Sequence, residues 1–370
     1  MRLAVDATPL LGRPTGVGAF ARAVLDGVAG CDDLEVTAFA LTWRGRHALA
    51  PLLPPGVEHL DRALPARPLR AAWRRSDVPR LDGALGRPDV IHGTNFVVPP
   101  ARAARVVTVH DLTCIRFPEL CTADTLEYPA LLRRAIAAGA WVHAVSGFVA
   151  EECVSLLGAS EERVVAVPNG VAPAPPDPAQ GPTIRARLVG GDRYVLALGT
   201  VEPRKDLPGL VAAFELVADA DPDVRLVLAG PDGWGAEALT AALRRARHRD
   251  RVRRIGWVDA TERAALLRGA TAFAYPSVYE GFGLPPLEAM SAGVPVVTTA
   301  AGAIPETVGD AALVVPVGDR EALARALTQV LEDDTVRRDL VVRGGARVAS
   351  HPWATTIDGL VALYRRAADG

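Results

Sequence analysis

The segment that most constrains the fold ends in YPSVYEGFGLPPLEAMSAGVPVVT, residues 275–298. An apolar run reaching Tyr275 reads as a strand, and the loop after it holds Glu280, Gly281, Phe282 and Gly283. Pro285 and Pro286 suit the first turn of a short helix, where a missing amide hydrogen costs nothing. Leu287 to Met290 continue that helix, Gly293 closes it, and Val294 to Thr298 reads as a second strand. Strand, glycine loop, helix and strand bring loop amides and a positive helix end to one point, which favours an anion, phosphate above all. Glu280 lies in the loop and Glu288 about one turn into the helix, so they cannot share a helical face. They are placed to flank a ligand whose hydroxyls they accept from, and a nucleotide sugar offers both hydroxyls and a diphosphate. Spacing alone leaves a second reading open, with Glu288 favouring the helix N-terminus and Glu280 a solvated loop charge.

At 370 residues the chain exceeds the usual size of one core, which predicts two domains. A net charge of −2 argues against general nucleic-acid binding. No apolar run approaches a membrane span, and MRLAVDAT enters a strand pattern without a leader. The expectation is a cytoplasmic protein, at most peripheral to a membrane. Cys31, Cys114, Cys121 and Cys153 form no CxxC pair and no metal-ligand spacing, so reduced thiols are expected. Of 41 basic residues only Lys205 is lysine, and it stands in GTVEPRKDL. A compact, flexible point charge suits a leaving phosphate.

Along the chain, strand patterns alternate with helical ones in both halves, which predicts two parallel sheets with right-handed crossovers. The stretch ATPLLGRPTGVGAF reads as a loop. Its Gly16-Val17-Gly18 invites a dinucleotide reading, but Thr42-Trp43-Arg44 stands where a nicotinamide site wants an acid. Six arginines between residues 62 and 80 surround Leu69 and Trp73; they would form a solvated face, grip a phosphorylated acceptor or dock on an anionic membrane. His92 and His110 end parallel strands, where ligand clefts form. APAPPDPAQGP, residues 172–182, reads as an interdomain linker. Arg204 and Lys205 follow the strand RYVLALG, and two cations at such a strand end are expected to meet an anion. The arginine cluster of residues 244–254 is expected to face water. Asp221-Pro222-Asp223 has the form of a metal-binding DxD but precedes a strand, so it reads as a turn, as do Asp32-Asp33 and Asp333-Asp334.

Glu, seven residues, Glu, inside SVYEGFGLPPLEAMSAGVPVV, resembles the signature of the retaining family-4 glycosyltransferases of the two-Rossmann GT-B architecture. VVTVHDL, GTVEPRKDL and VPNGV match further landmarks of that family, with Asp206 in place of the usual Asn. The resemblance implies two Rossmann-like α/β/α domains whose parallel sheets face a cleft: an acceptor-binding domain over 1–172, a linker over 173–182, and a nucleotide-sugar domain over 183–350. A final helix over 351–370 would cross back to the first domain. It further implies that Glu280 contacts the transferred sugar, Glu288 the ribose, and Gly281, Phe282, Gly283 and Leu284 the diphosphate with Arg204 and Lys205. Gly16 and Gly18 would close over the donor phosphates, Phe20 replacing the usual Tyr, and His110 with Asp111 would flank the anomeric carbon. No metal and no cofactor is expected; the leaving phosphate takes the acceptor proton on the same face. The HD motif with TVEPRKDL most resembles the mannosyltransferase branch and points to GDP-mannose, with UDP sugars as the alternative. The acceptor, whether glycan, lipid or small metabolite, is not legible. A sugar-nucleotide epimerase of the same fold, needing no acceptor, and a non-catalytic sugar-binding relative are the competing classes.

Overall fold

The computed structural model describes residues 1–12 and 15–370. The chain divides into two compact units, Met1–Gly170 with Trp353–Gly370, and Val171–Pro352. In the first unit β1 (Arg2–Asp6), α1 (Gly16–Val28), β2 (Glu35–Phe39), β3 (Glu58–His59), α2 (Ala66–Trp73), β4 (Val90–Gly93), β5 (Ala104–Val109), α3 (Thr113–Arg116), α4 (Tyr128–Ala137), β6 (Trp141–Ala144), α5 (Gly147–Leu157) and β7 (Val164–Ala166) follow in order. In the second come α6 (Gly181–Leu188), β8 (Tyr194–Leu198), α7 (Leu207–Ala220), β9 (Arg225–Ala229), α8 (Ala236–Arg245), β10 (Val252–Gly256), α9 (Ala260–Gly269), β11 (Ala272–Tyr275), α10 (Leu284–Ser291), β12 (Val296–Thr299), α11 (Ile304–Val308), β13 (Ala312–Val315), α12 (Arg320–Glu332) and α13 (Asp334–Ala349). The last helix, α14 (Trp353–Asp369), packs in the first unit.

Among the described residues the first unit holds a seven-stranded sheet, β3-β2-β1-β4-β5-β6-β7, and the second a six-stranded one, β10-β9-β8-β11-β12-β13. The strand pairs are parallel. Helices cover such sheets on both faces, so central strands are buried throughout, as in β4, β6, β11 and β12. Each order reverses once, between β1 and β4 and between β8 and β11. Loops leaving the two strands at a reversal part to opposite sides and open a crevice at the carboxyl ends.

Two expectations change. The glycine stretch is not a loop through Phe20: α1 begins at Gly16, and the Thr15 hydroxyl caps it by accepting from Gly18 N at 3.1 Å. The proline-rich stretch has no regular element up to residue 178, but α6 starts inside the predicted linker, at Gly181. It is laced to the second unit, Ala174 N donating to Ser291 Oγ at 2.7 Å and Arg268 donating to the carbonyls of Ala174 and Pro175.

A chain of buried, mutually bonded polar groups crosses the first unit. Val167 O can only accept, so His143 Nε2, at 2.9 Å, carries the hydrogen and Nδ1 accepts from the Thr108 hydroxyl at 2.9 Å. Thr108 Oγ1 then accepts from His92 Nε2 at 2.7 Å, and His92 Nδ1 accepts from the Tyr364 hydroxyl of α14 at 2.8 Å. His92, placed by its strand end beside the expected cleft, is instead a buried link in this chain. Burial holds both imidazoles neutral, His143 down to about 4 and His92 well below the usual imidazole range.

Removing the Tyr364 hydroxyl (Tyr364→Phe) leaves a buried acceptor unmade and is expected to cost about 1–3 kcal/mol in urea unfolding. The pH dependence follows from the shifts. Unfolded histidines bind protons from about pH 6.5 downward, whereas folded His92, His143, His110 and His351 resist. Stability present above pH 6.5 is therefore lost as pH falls from there toward the folded values. Asp6 opposes this, since burial raises its carboxyl to about 6 and adds stability in acid. Burial raises the Asp206 carboxyl as well, so four histidines stand against two acids and give a urea midpoint that declines from pH 6.5 to 5; a level midpoint contradicts the assignment.

Candidate active site

Arg204 and Lys205 follow β8, Glu280 follows β11, and these neighbouring strands flank the reversal in the second unit. The two loops are tied where Val278 N donates to Arg204 O at 2.9 Å. Lys205 and Tyr275, with Gly199, Thr200 and Pro276, line a small recess there. Glu280, only 6% exposed, meets the Arg204 guanidinium at 2.5 Å and Lys205 Nζ at 2.6 Å. The Arg204 guanidinium also lies 3.4 Å from Glu202 and donates to Tyr279 O at 3.1 Å. The anion these cations meet within the chain is thus Glu280. Burial pushes its carboxyl up, but Arg204 and Lys205 outweigh that and hold it at about 2. Lys205 is lowered, by burial first and then by Arg204, against the pull of Glu280.

The backbone fixes this cluster. Asp206 sits in the left-handed region at φ 41° while its carboxylate caps α7 through Gly209 N at 3.0 Å. Asn and Asp are the side chains that tolerate that conformation, so the change from the family's Asn keeps the turn. Gly302 lies against the Glu280 carbonyl so closely that a Cβ would stand 2.3 Å from it. Thr299 and Thr307 hydroxyls donate to the carbonyls of Ser277 and Phe282. Gly283, at φ 107°, turns the chain into α10, which no side chain caps. Pro285 and Pro286 lack N–H groups, so Leu284 and the loop amides before it are what this helix end presents. Ser277 Oγ is buried without a hydrogen-bond partner among the described residues.

Glu288, one turn into α10, belongs to a different contact: Arg263 of α9 meets it at 2.5 Å, each side chain about one-third exposed. In the first unit His110 Nε2 donates to Thr94 O at 2.9 Å, and burial lowers the ring below the usual range. Among the described residues Nδ1 then has no hydrogen-bond donor, with Phe20 edge-on at 5.1 Å. Asp111 Oδ1 instead accepts from Thr113 N at 2.9 Å and shapes its own turn. Gly16 opens α1, while a Cβ on Gly18 would stand 2.9 Å from Pro9 O, so Gly18 serves close packing.

Residues 14–175 match the family model described as Glycosyltransferase Family 4, and residues 184–346 match Glycosyl transferases group 1. The chain is 31% identical over 303 residues to O-antigen chain mannosyltransferase B of Escherichia coli, covering 80% of this chain and 77% of that protein. The chain belongs to the family-4 glycosyltransferases. Its GT-B fold is shared with sucrose-phosphate synthase of Thermosynechococcus elongatus (TM-score 0.78, 20% identity, covering 99% of this chain and 98% of that one). It is shared too with the Anabaena protein HepE, solved with UDP and glucose (TM-score 0.76, 18% identity, covering 99% and 100%).

The sequence reading of this glycosyltransferase missed Tyr275, Glu202 and Arg263. Tyr275 ends an apolar run that gives no sign of a polar task. Glu202 lies in GTVEPRKDL, where the adjacent cations were the signal. Most arginines of 244–254 are exposed, as expected, and some are also paired: Arg247 with Glu215 and Asp219, Arg254 with Asp232, while Arg251 donates to the carbonyls of Ala218 and Asp221. Asp221 is a turn residue paired with Arg193 at 2.8 Å, and Asp33 meets Arg365 at 2.6 Å. The Asp333 carboxylate caps α13. Leu69 and Trp73 point inward from α2, with Arg62, Arg67, Arg75 and Arg80 exposed around them. Among the described residues no His, Cys, Asp or Glu side chains gather as a metal site, and no helix is long and apolar enough to cross a membrane.

The two glutamates should separate in stability. Glu280→Ala leaves two buried cations short of their partner, an expected cost of about 3 kcal/mol or more. Glu288→Ala breaks a pair about one-third exposed on each side, worth under about 1 kcal/mol. Urea unfolding of both variants checks the contrast, and equal costs contradict it.

Proposed function

We propose that this glycosyltransferase moves a hexose from a nucleotide sugar to an acceptor hydroxyl with retention of configuration and without a metal, GDP-mannose being the donor we favour. The observation that carries the reading is the Arg204–Lys205–Glu280 cluster at the reversal between β8 and β11, beside the uncapped start of α10. Departure of a nucleoside diphosphate builds negative charge, and preorganised cations with loop amides lower its cost more than water can. We assign that task to Arg204, Lys205 and the amides of Gly281, Phe282, Gly283 and Leu284. Glu280 stays anionic and is assigned the transferred sugar, where a carboxylate accepts from hydroxyls and favours the developing positive charge.

Glu288 is assigned the ribose hydroxyls. His110, neutral and with no donor to Nδ1 among the described residues, is assigned a sugar hydroxyl, with Asp111 beside it shaping the turn. Gly16 and Gly18 are assigned the donor-phosphate side of the first unit. The leaving phosphate takes the acceptor proton on the face it departs from, so the scheme needs no nucleophile on the opposite face. The likeness to the Escherichia coli mannosyltransferase supports mannose. The acceptor is a glycan, lipid or small-metabolite hydroxyl, and the work is placed in the cytoplasm or at a membrane surface.

Purified enzyme offered GDP-mannose, UDP-glucose and UDP-N-acetylglucosamine with an acceptor panel should release nucleoside diphosphate from the first. Lys205→Ala keeps Glu280 paired with Arg204 and should fold, yet lose about 100-fold or more in kcat. Glu288→Ala should lose most of its transfer through a raised donor KM. Wild-type kcat in Lys205→Ala, or a wild-type donor KM in Glu288→Ala, removes that residue from the scheme. Transfer should persist in EDTA; complete loss restored by Mn²⁺ overturns metal independence.

A further inference from the structure

We infer that Tyr275 is a positioning residue for Lys205, its phenol oxygen fixing where the ammonium stands when the diphosphate arrives. The inference rests on the proposed diphosphate site. Tyr275 is the last residue of β11 and 3% exposed. Its carbonyl accepts from the Thr298 hydroxyl at 2.8 Å, and its ring stacks beside Phe273 at 6.2 Å. Backbone and ring are therefore held from two sides, and the hydroxyl has one place to be. Lys205 Nζ lies 2.6 Å from that oxygen and 4.6 Å from the ring centroid. Hydrogen-bond contact at the oxygen combined with the longer approach to the ring makes the hydroxyl, not the ring face, the dominant partner.

An ammonium has three hydrogens to give. One goes to Tyr275 and one to Glu280 Oε1, also at 2.6 Å, which leaves one for a ligand. An arriving diphosphate carries charge of the same sign as Glu280 and competes with it for the cation. It does not compete with a neutral phenol. The Tyr275 contact is thus the one that survives donor entry, and without it the flexible lysine stem has no fixed anchor. Nζ donates to the phenol oxygen, so the phenol hydrogen stays available to an anion. Burial and Glu280 keep Tyr275 protonated well beyond the usual phenol range. The groups facing Lys205 are Glu202 and Arg204 from the turn after β8, Tyr275 from β11, and Glu280 from the loop beyond. An acceptor oxygen favours the ammonium, so its removal releases the Lys205 proton at lower pH.

The test is calorimetric titration of the full chain with GDP and with UDP from pH 6 to 10, wild type against Tyr275→Phe, which keeps the ring and its packing. The variant should bind the diphosphate that wild type prefers about tenfold more weakly at pH 7, and its alkaline loss of binding should begin at lower pH. In a Lys205→Met background the same substitution should change affinity little, a coupling that a purely structural tyrosine would not show. Wild-type affinity with an unmoved alkaline limb in Tyr275→Phe overturns the inference alone. So does a tenfold loss that persists without the lysine. A wild-type chain that binds neither diphosphate overturns the site itself, and the inference with it.

Discussion

One buried carboxylate shared by two cations organises the second unit. Glu280 leaves water at a cost of several kcal/mol that only close, hydrogen-bonded partners offset, and it finds them in Arg204 and Lys205 at 2.5 and 2.6 Å. The contact joins the loops after β8 and β11, the two strands at which the sheet changes direction. Its supports are steric and local: Gly302 lets the 280 carbonyl approach, Gly283 turns the chain into α10, and Asp206 bends it into α7. Charge placed this way is ready before any ligand enters. Little reorganisation remains when negative charge develops, which is the property a group-transfer site needs.

The first unit solves the same burial problem without charge. Tyr364, His92, Thr108, His143 and the Val167 carbonyl form a chain in which each donor has one acceptor, and the direction of every hydrogen follows from the carbonyl at its end. Phe20 fills the space between His110 at 5.1 Å and His143 at 5.7 Å, so an apolar ring links the bonded core to the histidine at the strand end. The tyrosine usual at Phe20 would bring a hydroxyl into this space.

Much of the architecture was legible because it is written in local pattern. Strand and helix alternate with turn residues between them, and α5 begins and ends where Ser146 and Gly158 say it should. GTVEPRKDL announced two cations at a strand end, and the glycine loop announced a helix start. What the pattern does not carry is partnership between residues distant in sequence. Nothing local says that Arg204 and Glu280 meet, that Arg263 occupies Glu288, or that Tyr275 reaches Lys205. Asp111 looked like half of a motif, yet its nearest demand is the amide of Thr113 two residues on. Gly16 and Gly18 looked like a flexible loop because glycine argues against helix; the Thr15 cap and the close approach of Pro9 overrode that propensity.

The position of α14 gives the fold a history. The first unit is written in two separate pieces, with the whole of the second unit between them. On the ribosome the seven strands of the first sheet emerge before the second unit, but the tyrosine that completes their buried histidine chain is made only after it. Until then His92 lacks the Tyr364 hydroxyl that bonds its Nδ1, and the α1, β4 and β5 surface that α14 packs against lacks that cover. The second unit, continuous in the chain, can close as soon as it is made. The first unit thus begins before the second and is completed after it.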